Sequence, residues 1–160
     1  MEQNTAQNAA LEAYWQRFLQ ATGRDPALRY LEAFHFETTE KWANLLLELV
    51  LQGKKRATAS SLYYFRNNGL PLPQPGDCCI VTDFAGEPRC VIQTTAVITL
   101  PFREVSWEMA AREGEDENLA SWQEGHVRFF TADGQVEGYT FGWDMPVVFE
   151  DFEVVWPKVE

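Results

Sequence analysis

The chain has 160 residues and a formal net charge of −11, with 46% apolar and 14% aromatic residues. That apolar share supports a packed core and excludes global disorder, and the charge disfavours a general nucleic-acid binder, because an acidic surface repels phosphate backbones. No apolar run reaches the roughly 20 residues needed to span a membrane, and the polar start, without a basic cluster and apolar stretch, is not a secretory signal. The N-terminal residues 1–8 are expected to fray. Leu11, Tyr14, Trp15, Phe18 and Leu19 then recur at helical spacing, with Gly23 just past them. Asp25-Pro26 is expected to restart a helical turn carrying Leu28, Leu31 and Phe34.

The next helix is the clearest: Thr38 or Thr39 as cap, Trp42, Leu45, Leu46, Leu49 and Val50 as the buried stripe, Gly53 as the stop. Lys54-Lys55-Arg56-Ala57-Thr58-Ala59-Ser60 follows, then an aromatic, helical stretch from Ser61-Leu62. After a proline-rich loop over residues 71–76 the period changes. Residues 78–84 and 89–98 are β-rich and flank the turn Ala85-Gly86-Glu87-Pro88, the pattern of a hairpin. Ser106 caps a short helix to Arg112, an acidic loop runs over 113–118, and a helix covers 119–130, with turns at Gly134 and Gly138. Residues 145–155 form a last strand. Helices, hairpin, helices and strand in that order do not alternate as a doubly wound sheet would, so the expectation is a single-domain α+β protein built on a small mixed or antiparallel barrel flanked by helices. Cys78, Cys79 and Cys90 lie in apolar runs without paired spacing, which reads as buried free thiols in a reducing compartment.

Lysines at a helix end complement its dipole, and Thr58, Ser60 and Ser61 can cap a helix; these plain readings apply first. Gly53, Lys55 and Thr58 nevertheless fit Gly-x-Lys-x-x-Thr, and the wider chain carries Pro75-Gly76-Asp77, Val81-x-Asp83-x-x-Gly86-x-Pro88, Phe102-x-x-Val105, Glu113-Gly114-Glu115 and His126-x-x-Phe129-Phe130 in order. On these motifs residues 36–156 resemble the ASCH domain family, in a larger bacterial branch. The resemblance implies a PUA-like barrel over residues 36–160 with an N-terminal helical extension over 1–35, and a cleft lined by the Gly-Lys-Thr segment. It implies a nucleoside- or RNA-related role: small members of the family include amidohydrolases that remove the acyl group from N4-acylated cytidine with a lysine, a threonine and a glutamate. Carried over, these fall on Lys55, Thr58 and Glu113. The small members place an arginine where this chain has Ser60, so its work falls to another group, Arg56 or Arg66, or is not done at all.

Amide hydrolysis needs a nucleophile, a base, an oxyanion donor set and an acid for the leaving amine. Thr58 is the expected nucleophile. Lys55 is the expected base, provided that burial and the neighbouring Lys54 and Arg56 hold it neutral. Backbone N–H groups near Ala59 and Ser60, at a helix start, are expected to hold the oxyanion. The Lys55–Thr58 spacing brings both to one face only on a helical turn. Glu113 either orients Lys55 or binds the substrate ring. Arg56, Ser60, Tyr64, Arg66 and His126 are candidate substrate-binding residues, and Tyr63, Tyr64 and Trp122 candidate stacking surfaces. The acidic residues 113–117 read as a solvated loop or a divalent-cation site; no cofactor is expected. The expected partner is a modified nucleobase or nucleoside, in a cytoplasmic monomer or homodimer. RNA binding, metal-dependent RNA cleavage and a non-catalytic nucleotide sensor are the alternatives.

Overall fold

The computed structural model describes residues 2–158, with side chains from Thr5 onward. In chain order the elements are α1 (Glu2–Thr22), β1 (Ala33–Phe34), α2 (Glu40–Leu51), β2 (Ala57–Ser61), α3 (Leu62–Asn67), β3 (Cys78–Thr82), β4 (Pro88–Pro101), a 3-10 turn (Phe102–Glu104), α4 (Trp107–Ala111), α5 (Leu119–Glu137) and β5 (Pro146–Trp156). The strands form one five-stranded sheet in the order β1-β3-β4-β5-β2. The short β1 runs parallel to its partner, β3, whereas β3 with β4 and β2 with β5 are antiparallel. This is the expected α+β class with a mostly antiparallel sheet. Among the described residues no helix is long and apolar enough to cross a membrane.

The chain divides into two compact units. The first comprises residues 1–53, 76–94 and 152–160. The α1 stripe Leu11, Tyr14, Trp15, Phe18 and Leu19 shares a core with Cys78 and Ile80 of β3 and Val91 of β4. The expected fraying of residues 1–8 is corrected from Glu2 on, Met1 lying outside the described residues: α1 begins at Glu2, because Glu, Gln and Ala are good helix formers even with no apolar face to bury. The expected helical turn after Asp25-Pro26 is absent; the Asp25 carboxylate instead accepts the Ala27 N–H at 2.9 Å, closing a turn that leads into β1.

α2 starts where expected, with Thr39 accepting from the Trp42 N–H, but its buried face is rotated. Ala43, Leu46, Leu47 and Val50 point into a core with Phe36, Cys79, Val81, Cys90, Ile92 and Phe152, while Trp42 and Leu45 are exposed. All three thiols are free and buried, as expected. The hairpin forms in register Cys78↔Gln93 to Val81↔Cys90, with an irregularity at Val81/Thr82.

The second unit, residues 54–75 and 95–151, has its own core. Ala57 and Ala59 of β2, Val147 and Phe149 of β5, Phe102, Val105, Ala110, Trp122, Phe130 and Met145 are buried together. Ser61 and Ser106 cap α3 and α4 as expected. α5 runs past the expected end: Gly134 is no turn but an interior helical position, where a Cβ would collide with the Tyr139 carbonyl oxygen. The helix ends at Gly138.

Candidate active site

The site belongs wholly to the second unit and is built by two short backbone segments lying side by side. One is residues 54–56, between α2 and β2; the other is residues 112–115, after α4. The Arg56 N–H donates to the Arg112 carbonyl at 2.7 Å. Gly114, at φ +73°, packs so closely that an added Cβ would penetrate the Lys54 carbonyl. A side chain at this position therefore meets both a steric clash and a backbone conformation L-residues avoid. This contact sends Glu113 and Glu115, which flank Gly114, to one lysine.

Lys55 is 2% exposed, and its ammonium is fully committed. It donates to the Ala57 carbonyl at 3.0 Å, to Glu113 Oε1 at 3.3 Å and to Glu115 Oε2 at 2.7 Å. An ammonium has three protons, and three acceptors surround it. Burial would pull its pKa down, but the two carboxylates outweigh burial and hold it above the ordinary lysine value. The expectation of a neutral Lys55 is thereby corrected. The sequence neighbours Lys54 and Arg56 are exposed; the determining partners are acids from 58 and 60 residues away.

Glu113 is equally buried and is saturated with donors. Oε1 takes Lys55, while Oε2 takes the Trp122 indole N–H and His126 Nε2, the latter at 3.1 Å. Burial alone would raise its pKa; Lys55, His126 and Trp122 reverse the effect and hold the carboxyl well below the usual range. His126 sits one turn beyond Trp122 on α5 and stacks on its ring, centroids 4.1 Å apart. Its Nδ1 is 2.9 Å from the Trp122 carbonyl. A carbonyl and a carboxylate both accept, so both ring nitrogens carry hydrogen and His126 is an imidazolium. In agreement, its pKa is raised: burial works against the charge, and Glu113 and the Trp122 carbonyl overcome it.

Glu115 differs from Glu113. Its side chain is 22% exposed against 3%, and Oε1 accepts no hydrogen bond from a described residue. Burial raises its pKa, and repulsion from Glu113 adds to this, so the 2.7 Å contact with Lys55 does not restore an ordinary value. The acidic loop is thus only partly solvated, since two of its carboxylates bind a cation of the protein itself. Among the described residues no group of three His, Cys, Asp or Glu is arranged to hold a metal ion.

The other expected site residues divide. Thr58 and Ser60 lie on β2, a strand rather than a helical turn, so the expected Lys55–Thr58 helical face is corrected. Ala57, Ala59 and Ser61 point into the core, and Thr58 and Ser60 occupy the opposite, half-buried face. The side chain of Thr58 makes no hydrogen bond to a described residue, and its cross-strand neighbour is Glu150. The oxyanion donors expected at a helix start lie instead in a strand. Because β2 ends the strand order and pairs only with β5, alternate N–H groups point away from the ladder. Trp122 is fully buried between Phe102 and His126 and offers no face for a base. Tyr63 and Tyr64 are half-buried on α3, and Arg56 and Arg66 are exposed. Glu115 and Trp122 are the partners that sequence reasoning did not assign to this cluster; the signal was the Glu-Gly-Glu spacing, with a glycine that forces both acids toward one point.

Residues 32–156 match the ASCH domain family, and the chain belongs to it. The fold resembles the crystal structure of protein EF3133 from Enterococcus faecalis at 33% identity and TM-score 0.84, covering 92% of this chain and 88% of that one. It also resembles the ASCH domain from Lactobacillus crispatus at 34% identity and TM-score 0.79, covering 93% of both chains. No curated protein matches the sequence.

Proposed function

We propose that the chain is an amidohydrolase that removes the acyl group from N4-acylated cytosine or cytidine-type substrates. The observation that carries this reading is the Lys55–Glu113–Glu115–His126 set, four ionisable groups drawn into one unit of a small protein. Removing charges from water is costly, and a buried pair is weak evidence for stability; such clusters with shifted pKa values concentrate at functional sites. Membership of the ASCH family is compatible with hydrolysis and with an RNA- or nucleotide-related role.

In this reading Thr58 supplies the attacking hydroxyl. Lys55 acts as an ammonium rather than a base: its positive charge, in a medium that screens poorly, stabilises the oxyanion that develops on the acyl oxygen. Glu113, held by three donors, fixes Lys55 and does not itself titrate near neutrality. His126 is a positioning residue, because both ring nitrogens are spent on Glu113 and the Trp122 carbonyl. Arg56, Arg66, Ser60 and Tyr64 remain the proposed contacts to the nucleobase or sugar.

The test is release of acetate from N4-acetylcytidine by metal-free protein. Thr58→Ala and Lys55→Ala, each shown to be folded by circular dichroism, should lose this activity. Full activity in both variants would refute the mechanism, and an inactive wild type across a panel of N4-acylated cytosines and cytidines would refute the function. Exposure of Lys54, Arg56 and Arg66 supports a second reading, an RNA-binding or RNA-cleaving module. That reading predicts RNA affinity that falls steeply with salt, and cleavage that a chelator abolishes.

A further inference from the structure

We infer that Arg112 is a positioning residue: its ion pair with Asp151 ties residues 113–115 to β5 and thereby sets how closely the carboxylates of that loop approach Lys55. Its effect on turnover rests on the hydrolase reading; its effect on the state of Lys55 does not. Arg112 is the last residue before the acidic loop, at the C-terminal cap of α4. Its Nε donates to Asp151 Oδ1 at 2.6 Å and its Nη2 to Asp151 Oδ2 at 3.3 Å, a two-pronged grip. Nη1 donates to the Glu108 carbonyl at 3.2 Å, and the guanidinium carbon lies 5.6 Å from the ring centre of buried Phe149. The backbone of Arg112 is held as well, since its carbonyl accepts the Arg56 N–H.

These contacts close a ring around the buried ammonium. Lys55 donates to the Ala57 carbonyl, and Ala57 lies opposite Asp151 in the β2–β5 ladder. Asp151 grips Arg112, Arg112 leads directly into Glu113, and Glu113 returns to Lys55. The loop's own turn does not depend on the guanidinium: the Glu113 and Gly114 N–H groups donate to the Ala110 and Ala111 carbonyls at 3.0 and 3.1 Å. Removing the guanidinium therefore takes away the anchorage to β5 and leaves the local backbone in place. Arg112 and Asp151 are also set apart from an ordinary surface pair. Their side chains are 30% and 22% exposed, against 55% and 84% for Arg103 and Asp144 in the same unit. Exposed pairs contribute little, whereas a half-buried, two-pronged one fixes geometry.

The experiment follows the Lys55 side-chain nitrogen by ¹⁵N titration, and the Trp122 indole N–H resonance, in wild type, Arg112→Met, Arg112→Lys, Asp151→Asn and the control Arg103→Met. Methionine keeps an apolar stem over Phe149 and removes every donor. In Arg112→Met and Asp151→Asn the carboxylates should retreat while Lys55 stays buried, so the Lys55 pKa should fall below its wild-type value. The Trp122 indole resonance should shift, because Glu113 is its acceptor. Arg112→Lys should fall between, since one ammonium cannot span both Asp151 oxygens. Arg103→Met should match wild type. With N4-acetylcytidine, Arg112→Met should lower kcat about 10–100-fold with KM little changed, because Lys55 acts on charge that develops only in the transition state.

A lower melting temperature with unchanged Lys55 and Trp122 resonances in Arg112→Met and Asp151→Asn would make the pair a support of the fold and overturn the inference. An equal displacement in Arg103→Met would overturn it too, since loss of any surface pair would then suffice. Should Arg112→Met not fold, Asp151→Asn and Arg112→Lys decide on the same readouts. An inactive wild type would sink the hydrolase reading, and the Lys55 and Trp122 resonances would still decide the role of Arg112.

Discussion

The unit made of residues 1–53, 76–94 and 152–160 buries three thiols and the hydroxyls of Thr82 and Thr94, whereas the unit made of residues 54–75 and 95–151 buries an ammonium, a carboxylate and most of an imidazolium. Thiols are small hydrophobes, and burial pushes Cys90 up to about 12, so the first unit's buried thiols stay neutral and inert. The second unit keeps charges that an apolar core would have avoided. The first unit's buried polar groups are neutral, and the second unit's include charges held by one another.

The contrast breaks most visibly at the ion pair. Among the described residues, Lys55→Met leaves buried Glu113 with His126 as its only cation, and Glu113→Leu leaves buried Lys55 with Glu115 as its only carboxylate; each should cost about 3–5 kcal/mol in urea unfolding. The double variant Lys55→Met/Glu113→Leu should recover much of that stability and none of the activity. Were the double variant as unstable as the singles, the pair would be a packing element and the contrast would fail. Gly114→Ala comes next: the clash with Lys54 and the left-handed backbone should cost about 1–3 kcal/mol and detach Glu115, read as loss of activity beyond what the altered melting temperature explains.

The pH dependence of stability sharpens the same comparison. Glu113, held at about 2 in the fold, lies below an unfolded glutamate near ~4.3, so its contribution is present above that value and lost as pH falls toward its folded pKa. His126 is raised in the fold, so its contribution is complete below about 6.5 and lost as pH rises through the folded value. Urea midpoints should fall on both sides of an acid-to-neutral plateau, and His126→Asn should remove the fall on the alkaline side. In the first unit, native protein should resist labelling by a thiol reagent at pH 8 until denatured. Smallest of all, Trp42→Ser on the exposed face of α2 should change stability by no more than about 0.5 kcal/mol.

How much of this was legible in the sequence follows from which forces are local. Caps and stops were readable because they act within four residues: Thr39, Ser61 and Ser106 each cap the helix expected of them. The α2 stripe was misjudged because Trp42 and Leu45 are apolar yet exposed, and periodicity sees hydrophobicity rather than burial. Lys55, Thr58 and Glu113 were named by motif, and the structure brings Lys55 and Glu113 into contact. The charge state of Lys55 was not legible. Its partners are 58 and 60 residues distant, and the sequence shows only the adjacent Lys54 and Arg56, whose influence has the opposite sign. Burial of Trp122 was hidden for the same reason.

The most direct test is the protonation state of Lys55. A ¹⁵N-detected titration of its side-chain nitrogen should show an ammonium at pH 7 that persists beyond the ordinary lysine value. A neutral amine at pH 7 would contradict the account and return Lys55 to the role of base.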